Sequence, residues 1–193
     1  MKPENFIKQG IVEMLEADDE TSPRRHLLET SERNITAHLR GSLRGIGHSF
    51  NRRKYQVDHE YNRAGMGDVP KDPWIECLEG KSSYVVPDVI VHLRGVEINE
   101  DLNANWLVIE VKKISNFNGV INDVKKKTQR DGLRHDLQKL NCFRECYKFR
   151  YQHVASIVFG KDSVWVSLDD EVRNNQFKKL LSILDLPKSD FDR

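Results

Sequence analysis

The sequence predicts an α/β domain in which a mixed central β-sheet is flanked by helices, and three observations predict it. Apolar residues recur at helical spacing in four stretches, β-branched runs bounded by polar residues recur in others, and the two kinds are interleaved along the chain. Two of the β-branched runs face each other across a polar connection and read as an antiparallel hairpin. At 193 residues the chain is long enough to bury a single core, so one domain over residues 1–193 is expected.

In chain order, Phe6, Ile7, Ile11 and Leu15 place a first helix before the acidic turn Glu16 to Glu20. Thr30 and Ser31 are good helix N-caps, and Ile35, Leu39, Leu43 and Ile46 form the apolar stripe of a second helix ending near Gly45 or Gly47. Tyr55 to Tyr61 reads as a strand, Gly65 to Asp72 as a loop rich in breakers, and Trp74 and Ile75 as a short strand or turn. Tyr84 to Leu93 and Trp106 to Lys112 form the hairpin. Pro87, which lacks a ladder donor, marks an edge, a bulge or a site. After a loop at Ser115 to Gly119, Leu133, Leu137, Leu140 and Phe143 carry a helix reaching about Tyr147, with Gly132 as a break near its start. Val154 to Phe159 and Val164 to Leu168 are strands joined by a turn at Gly160 to Ser163. A final amphipathic helix carries Val172, Phe177, Leu180, Leu181 and Leu184.

Composition narrows the function. No apolar run reaches the length of a spanning helix, and the first residues carry acids where a signal peptide is apolar, so a cytoplasmic protein without membrane contact is expected. Cys77, Cys142 and Cys146 are odd in number and contain no CxxC, which reads as reduced thiols. The net charge is only +1, but it is partitioned. Arg24 to Lys54 holds eight bases against two acids, including the cluster Arg52, Arg53 and Lys54, and Asn122 to Arg150 holds nine against four, including Lys139. Between them, Tyr55 to Glu110 holds eleven acids against four bases. Basic flanks around an acidic centre suit a polyanion held over a metal site.

Alternation places Asp88, Ile90 and His92 on one face of the first hairpin strand, and Val108, Glu110 and Lys112 on one face of the second. The opposite faces are wholly apolar, so burying them sends Asp88, Glu110 and Lys112 to the other side together. Two carboxylates and a lysine in β-branched strands are costly if desolvated and unpaired. Either Lys112 neutralises Glu110 or Asp88 in a structural ion pair, or the carboxylates are hard oxygen ligands for Mg²⁺ (or Mn²⁺), completed by the Val111 carbonyl, with Lys112 beside the metal-bound water, helping to orient and deprotonate it or to stabilise charge developing on phosphate.

Pro87-Asp88 followed by Glu110-Val111-Lys112 on the next strand resembles the signature of the PD-(D/E)XK nuclease superfamily, whose restriction-endonuclease-like fold the order helix, three strands, helix, strand matches over residues 30–168. The N-terminal and C-terminal helices would then be accessory. The resemblance implies a metal-dependent phosphodiesterase acting on nucleic acid, DNA by family analogy, with room for a homodimer or a protein partner. It implies that Asp88 and Glu110 hold Mg²⁺ with Val111, and that Glu32 on the preceding helix and Glu60 on the preceding strand join Lys112 in the catalytic set. It also places Asp136 to Leu140 on the following helix beside the site. The separation of 22 positions between Asp88 and Glu110 is long for the family and implies an extended connection. The alternative from another class is a nucleic-acid-binding or complex-assembly protein that keeps the fold without turnover.

Overall fold

The computed structural model describes residues 1–17, 30–50, 55–59, 74–75, 83–84, 87–93, 104–115, 117, 127–145 and 150–183. Its helices are α1 (Pro3–Ala17), α2 (Glu32–Phe50), α3 (Lys127–Glu145) and α4 (Asp170–Arg173). Its strands are β1 (Gln56–His59), β2 (Trp74–Ile75), β3 (Ser83–Tyr84), β4 (Val89–His92), β5 (Asn105–Lys113), β6 (His153–Phe159), β7 (Ser163–Leu168) and β8 (Lys178–Ser182). Six strands form one mixed sheet in the order β1-β4-β5-β6-β7-β8, and β2 pairs with β3 separately. Within the six-stranded sheet β5 and β6 run parallel, and the other described pairs are antiparallel. A parallel pair needs a crossover, and α3 lies in the connection between β5 and β6.

The two sheet faces are unlike because alternate residues of β5 and β6 differ in kind. Leu107, Ile109 and Val111, with Ala155, Ile157 and Phe159, join the largest apolar cluster, which includes Phe6, Ile7, Ile11 and Leu15 of α1 and the α2 stripe. Gly10 allows the two helices to touch, since a Cβ there would collide with the Leu43 side chain. On the other face Ile90, Val108 and Val154 pack with Leu137, Leu140 and Phe143 of α3 and Val172 of α4. The polar residues of the hairpin lie on this second face, under α3.

The Ser31 cap is as expected, with the Asn34 N–H donating to Ser31 Oγ at 3.3 Å. The antiparallel hairpin is as expected too, through Val89↔Ile109, Ile90↔Val108 and Val91↔Leu107. Four expectations need correction. α2 passes Gly45 and Gly47 and ends at Phe50, because the buried Ile46 anchors it and Gly47 is where β1 approaches, Val57 standing 3.4 Å from a Cβ built there. Tyr84 and Val89 belong to different strands, β3 and β4, with Pro87 at the β4 threshold. Gly132 does not break α3 and has open space around it. The C-terminal amphipathic helix is instead the single turn α4 followed by strand β8, because Asn175, at φ 54°, turns the chain out of the helix and the open edge of β7 offers hydrogen bonds to Lys178–Ser182.

Cys142 corrects the expectation of reduced thiols. It is disulfide-bonded, since the approach of a second sulfur decides oxidation and spacing alone does not reveal it. The chain's other two cysteines, Cys77 and Cys146, lie outside the described residues. Among the described residues no helix is long and apolar enough to cross a membrane.

Candidate active site

Asp88 precedes β4, one step beyond the Val89↔Ile109 pair, which puts it level with Glu110. Its carboxylate does a backbone's work: Oδ2 accepts the N–H of Val111 at 2.7 Å. The pairing of β4 with β5 begins at Val89, and the Asp88 side chain supplies the acceptor for this N–H of β5. The aspartate is thereby fixed beside the glutamate.

Glu110 is 2% exposed. Its Oε2 lies 2.6 Å from Nζ of Lys139, which descends from α3, and Oε1 has no hydrogen-bond partner among the described residues. Burial pushes its carboxyl well above the usual range, and the charge of Asp88 adds to this against the pull of Lys139. Asp88 is raised by the same burial, opposed by the Val111 N–H. The parallel register sets Ser156 level with Glu110, and Ser167 level with Ser156. Both hydroxyls are fully buried and without a hydrogen-bond partner among the described residues. A row of buried oxygen atoms thus crosses the sheet beneath α3.

Lys112 makes its direct ion pairs elsewhere than with Glu110 or Asp88, the partners an isolated hairpin suggested. Its Nζ sits 3.1 Å from Asp136 Oδ2 and 3.3 Å from Glu32 Oε1. Burial alone would lower its pKa, but these two carboxylates outweigh burial and hold the ammonium above its usual range. Glu32, the first residue of α2, also accepts the Lys113 N–H through Oε2 at 3.0 Å, and Lys113 Nζ donates to Thr30 O at 2.6 Å. The capped start of α2 is thereby stapled to the end of β5.

The structure therefore gathers Glu32, Asp88, Glu110, Lys112 and Lys139 in one place. Glu60, Arg52, Arg53 and Lys54 lie outside the described residues. Val111 contributes its N–H to Asp88, while its side chain joins the main core. Asp136, which the resemblance only put near the site, holds Lys112. Its signal in the sequence is an acid at position 136 within the stripe Leu133, Leu137 and Leu140, where burial without a partner is costly. His92 lies toward the other end of the hairpin and pairs with Asp58, Nε2 to Oδ2 at 3.0 Å.

Comparison of the chain with known family models, curated proteins and solved structures gives no match. Among the described residues no three His, Cys, Asp or Glu side chains form a group able to hold an ion by themselves. Asp88 and Glu110 make a two-carboxylate set, and Mg²⁺ is commonly bound by one or two carboxylates with waters filling the remaining positions. The unpartnered Oε1 of Glu110 and the mutual repulsion of the pair fit a cation.

The raised carboxyls make a testable statement about stability. The unfolded chain releases the Glu110 proton near 4.5 and the folded chain only at higher pH, so the fold holds the extra proton between the two values. Metal-free protein is therefore expected to lose stability as pH rises through that interval, from about pH 4.5 upward. Glu110→Gln should flatten this slope in denaturant titrations run in chelator. A parent-like slope in that variant would show that Glu110 is not the group responsible.

Proposed function

We propose that this chain is a metal-dependent nuclease that hydrolyses phosphodiester bonds, with the restriction-endonuclease-like fold of the PD-(D/E)XK superfamily. One observation carries the reading: Asp88, Glu110 and Lys112 lie on one sheet face, and a buried carboxylate oxygen of Glu110 has no hydrogen-bond partner there among the described residues. The mixed sheet, with α2 before it and α3 crossing over between the parallel strands, supports the fold assignment.

Asp88 and Glu110 would hold Mg²⁺ or Mn²⁺, with the Val111 carbonyl beside them as the resemblance implies. Bound there, the ion supplies a positive charge that acidifies water and polarises a phosphoryl oxygen. Val111 N–H fixes the orientation of Asp88. Lys112, kept as an ammonium between Glu32 and Asp136, supplies a positioned cation for charge developing on phosphate. Helix α3 shields the carboxylates from bulk water and strengthens these interactions. DNA is the favoured substrate by analogy with the family.

Calorimetry tests the metal half: Mg²⁺ or Mn²⁺ should bind the parent protein and fail to bind Asp88→Asn. Equal binding by the two would remove Asp88 from the site. Cleavage assays on linear, nicked and single-stranded DNA and on RNA test the activity. Binding of metal and nucleic acid without turnover on any of them would favour a non-catalytic binding or assembly protein.

A further inference from the structure

Four carboxylates, Glu32, Asp88, Glu110 and Asp136, share this site with two lysines, Lys112 and Lys139. Fully ionised, the acids exceed the bases by two charges, which is the charge of one divalent cation. Lys139 stands where such a cation would bring the strongest repulsion, with its Nζ 2.6 Å from Glu110 Oε2. Its side chain is not sealed in. It is 13% exposed, against 3% for the Glu110 side chain, and it enters from α3, whose Arg134 is exposed.

We propose that Lys139 is a switch between two anions: it neutralises Glu110 when no metal is bound there, and is released to a nucleic-acid phosphate when a divalent cation takes its place. Metal loading and polyanion binding are then one coupled event, and the coupling is reciprocal. The inference rests on Asp88 and Glu110 being the metal position, and assigns to that site its own regulation. A lysine suits the task because its flexible stem carries a compact charge that can leave one carboxylate for another anion. Chemically, the metal-free site stays neutral enough to fold, and the enzyme grips its substrate more tightly once it can act on it.

Trace acetylation with mass-spectrometric readout tests this on the parent protein, with the exposed Lys161 as internal reference. In chelator Lys139 should be protected. Mg²⁺ should raise its labelling several-fold, and a nuclease-resistant phosphorothioate duplex added with Mg²⁺ should protect it again. Calorimetry should show Lys139→Met binding Mg²⁺ about tenfold or more tightly than the parent, because a charged hydrogen bond no longer competes for Glu110. Bound Mg²⁺ with unchanged Lys139 labelling would overturn the switch and leave the metal site standing. Labelling that rises with Mg²⁺ but is not reversed by the duplex would overturn the coupling to phosphate. Failure of the parent and of Lys139→Met to bind Mg²⁺ or Mn²⁺ would overturn the metal site and the switch together.

Discussion

Lys112→Ala is expected to lose nearly all cleavage while keeping its fold and its metal. A positioned charge at a developing oxyanion is worth on the order of 100-fold to 1,000-fold in rate. The effect should fall on the rate at saturating substrate. Nucleic-acid affinity should change little, since one phosphate contact among many mainly alters the salt dependence of binding. Lys112 also stands between Glu32 and Asp136, so the variant removes the cation beside a carboxylate that is only 6% exposed. Circular dichroism and Mg²⁺ calorimetry on the same sample separate that structural effect from lost chemistry. If Lys112→Ala cleaves at the parent rate with Mg²⁺, the assignment of these residues to a nuclease site should be dropped.

Phe6→Ala is expected to be the most damaging of the stability variants, although Phe6 is far from the chemistry. Its ring is fully buried and meets Trp106 edge-on, the centroids 5.1 Å apart and the planes at 72°. Removing a buried phenylalanine typically costs about 3–5 kcal/mol, a large part of the roughly 5–15 kcal/mol that holds a domain together. Urea unfolding measures this directly. A loss below about 0.5 kcal/mol, the range of surface changes, would make α1 an appendage. A full loss would make it part of the main core, where Ile7, Ile11 and Leu15 also lie.

The hairpin was legible because period two is a local property: once Val89, Val91, Leu107, Ile109 and Val111 are assigned to the core, Asp88, Glu110 and Lys112 must share the other face. The Ser31 cap was legible for the same reason, since a cap and its helix are neighbours in sequence. Pairing was not. Lys112 looked suited to neutralise Glu110, yet Glu110 takes Lys139 from the crossover helix, and Lys112 takes Asp136 and Glu32 from two different helices. Those choices depend on how α2 and α3 dock. Lys178 to Ser182 misled because short apolar runs satisfy helix and strand periodicities alike, and the free edge of β7 decided between them. Gly45 and Gly47 misled because glycine's cost within a helix is small beside the burial of Ile46.

The parallel pairing of β5 with β6 bears on the order in which the protein is expected to assemble. The β4–β5 hairpin joins strands adjacent in sequence, so it is expected to form early and to bring Asp88 and Glu110 together before the crossover closes. The β5–β6 pairing must wait until the whole segment from Lys113 to His153 has looped back, a non-local closure of the kind that slows folding. Lys139 travels on that segment. Until it arrives the nascent hairpin carries two like charges with no counter-charge from α3, so the transition state for closing the crossover should be reached faster when one of them is neutral. Refolding in chelator should therefore accelerate on mild acidification, and Glu110→Gln should remove much of that acceleration.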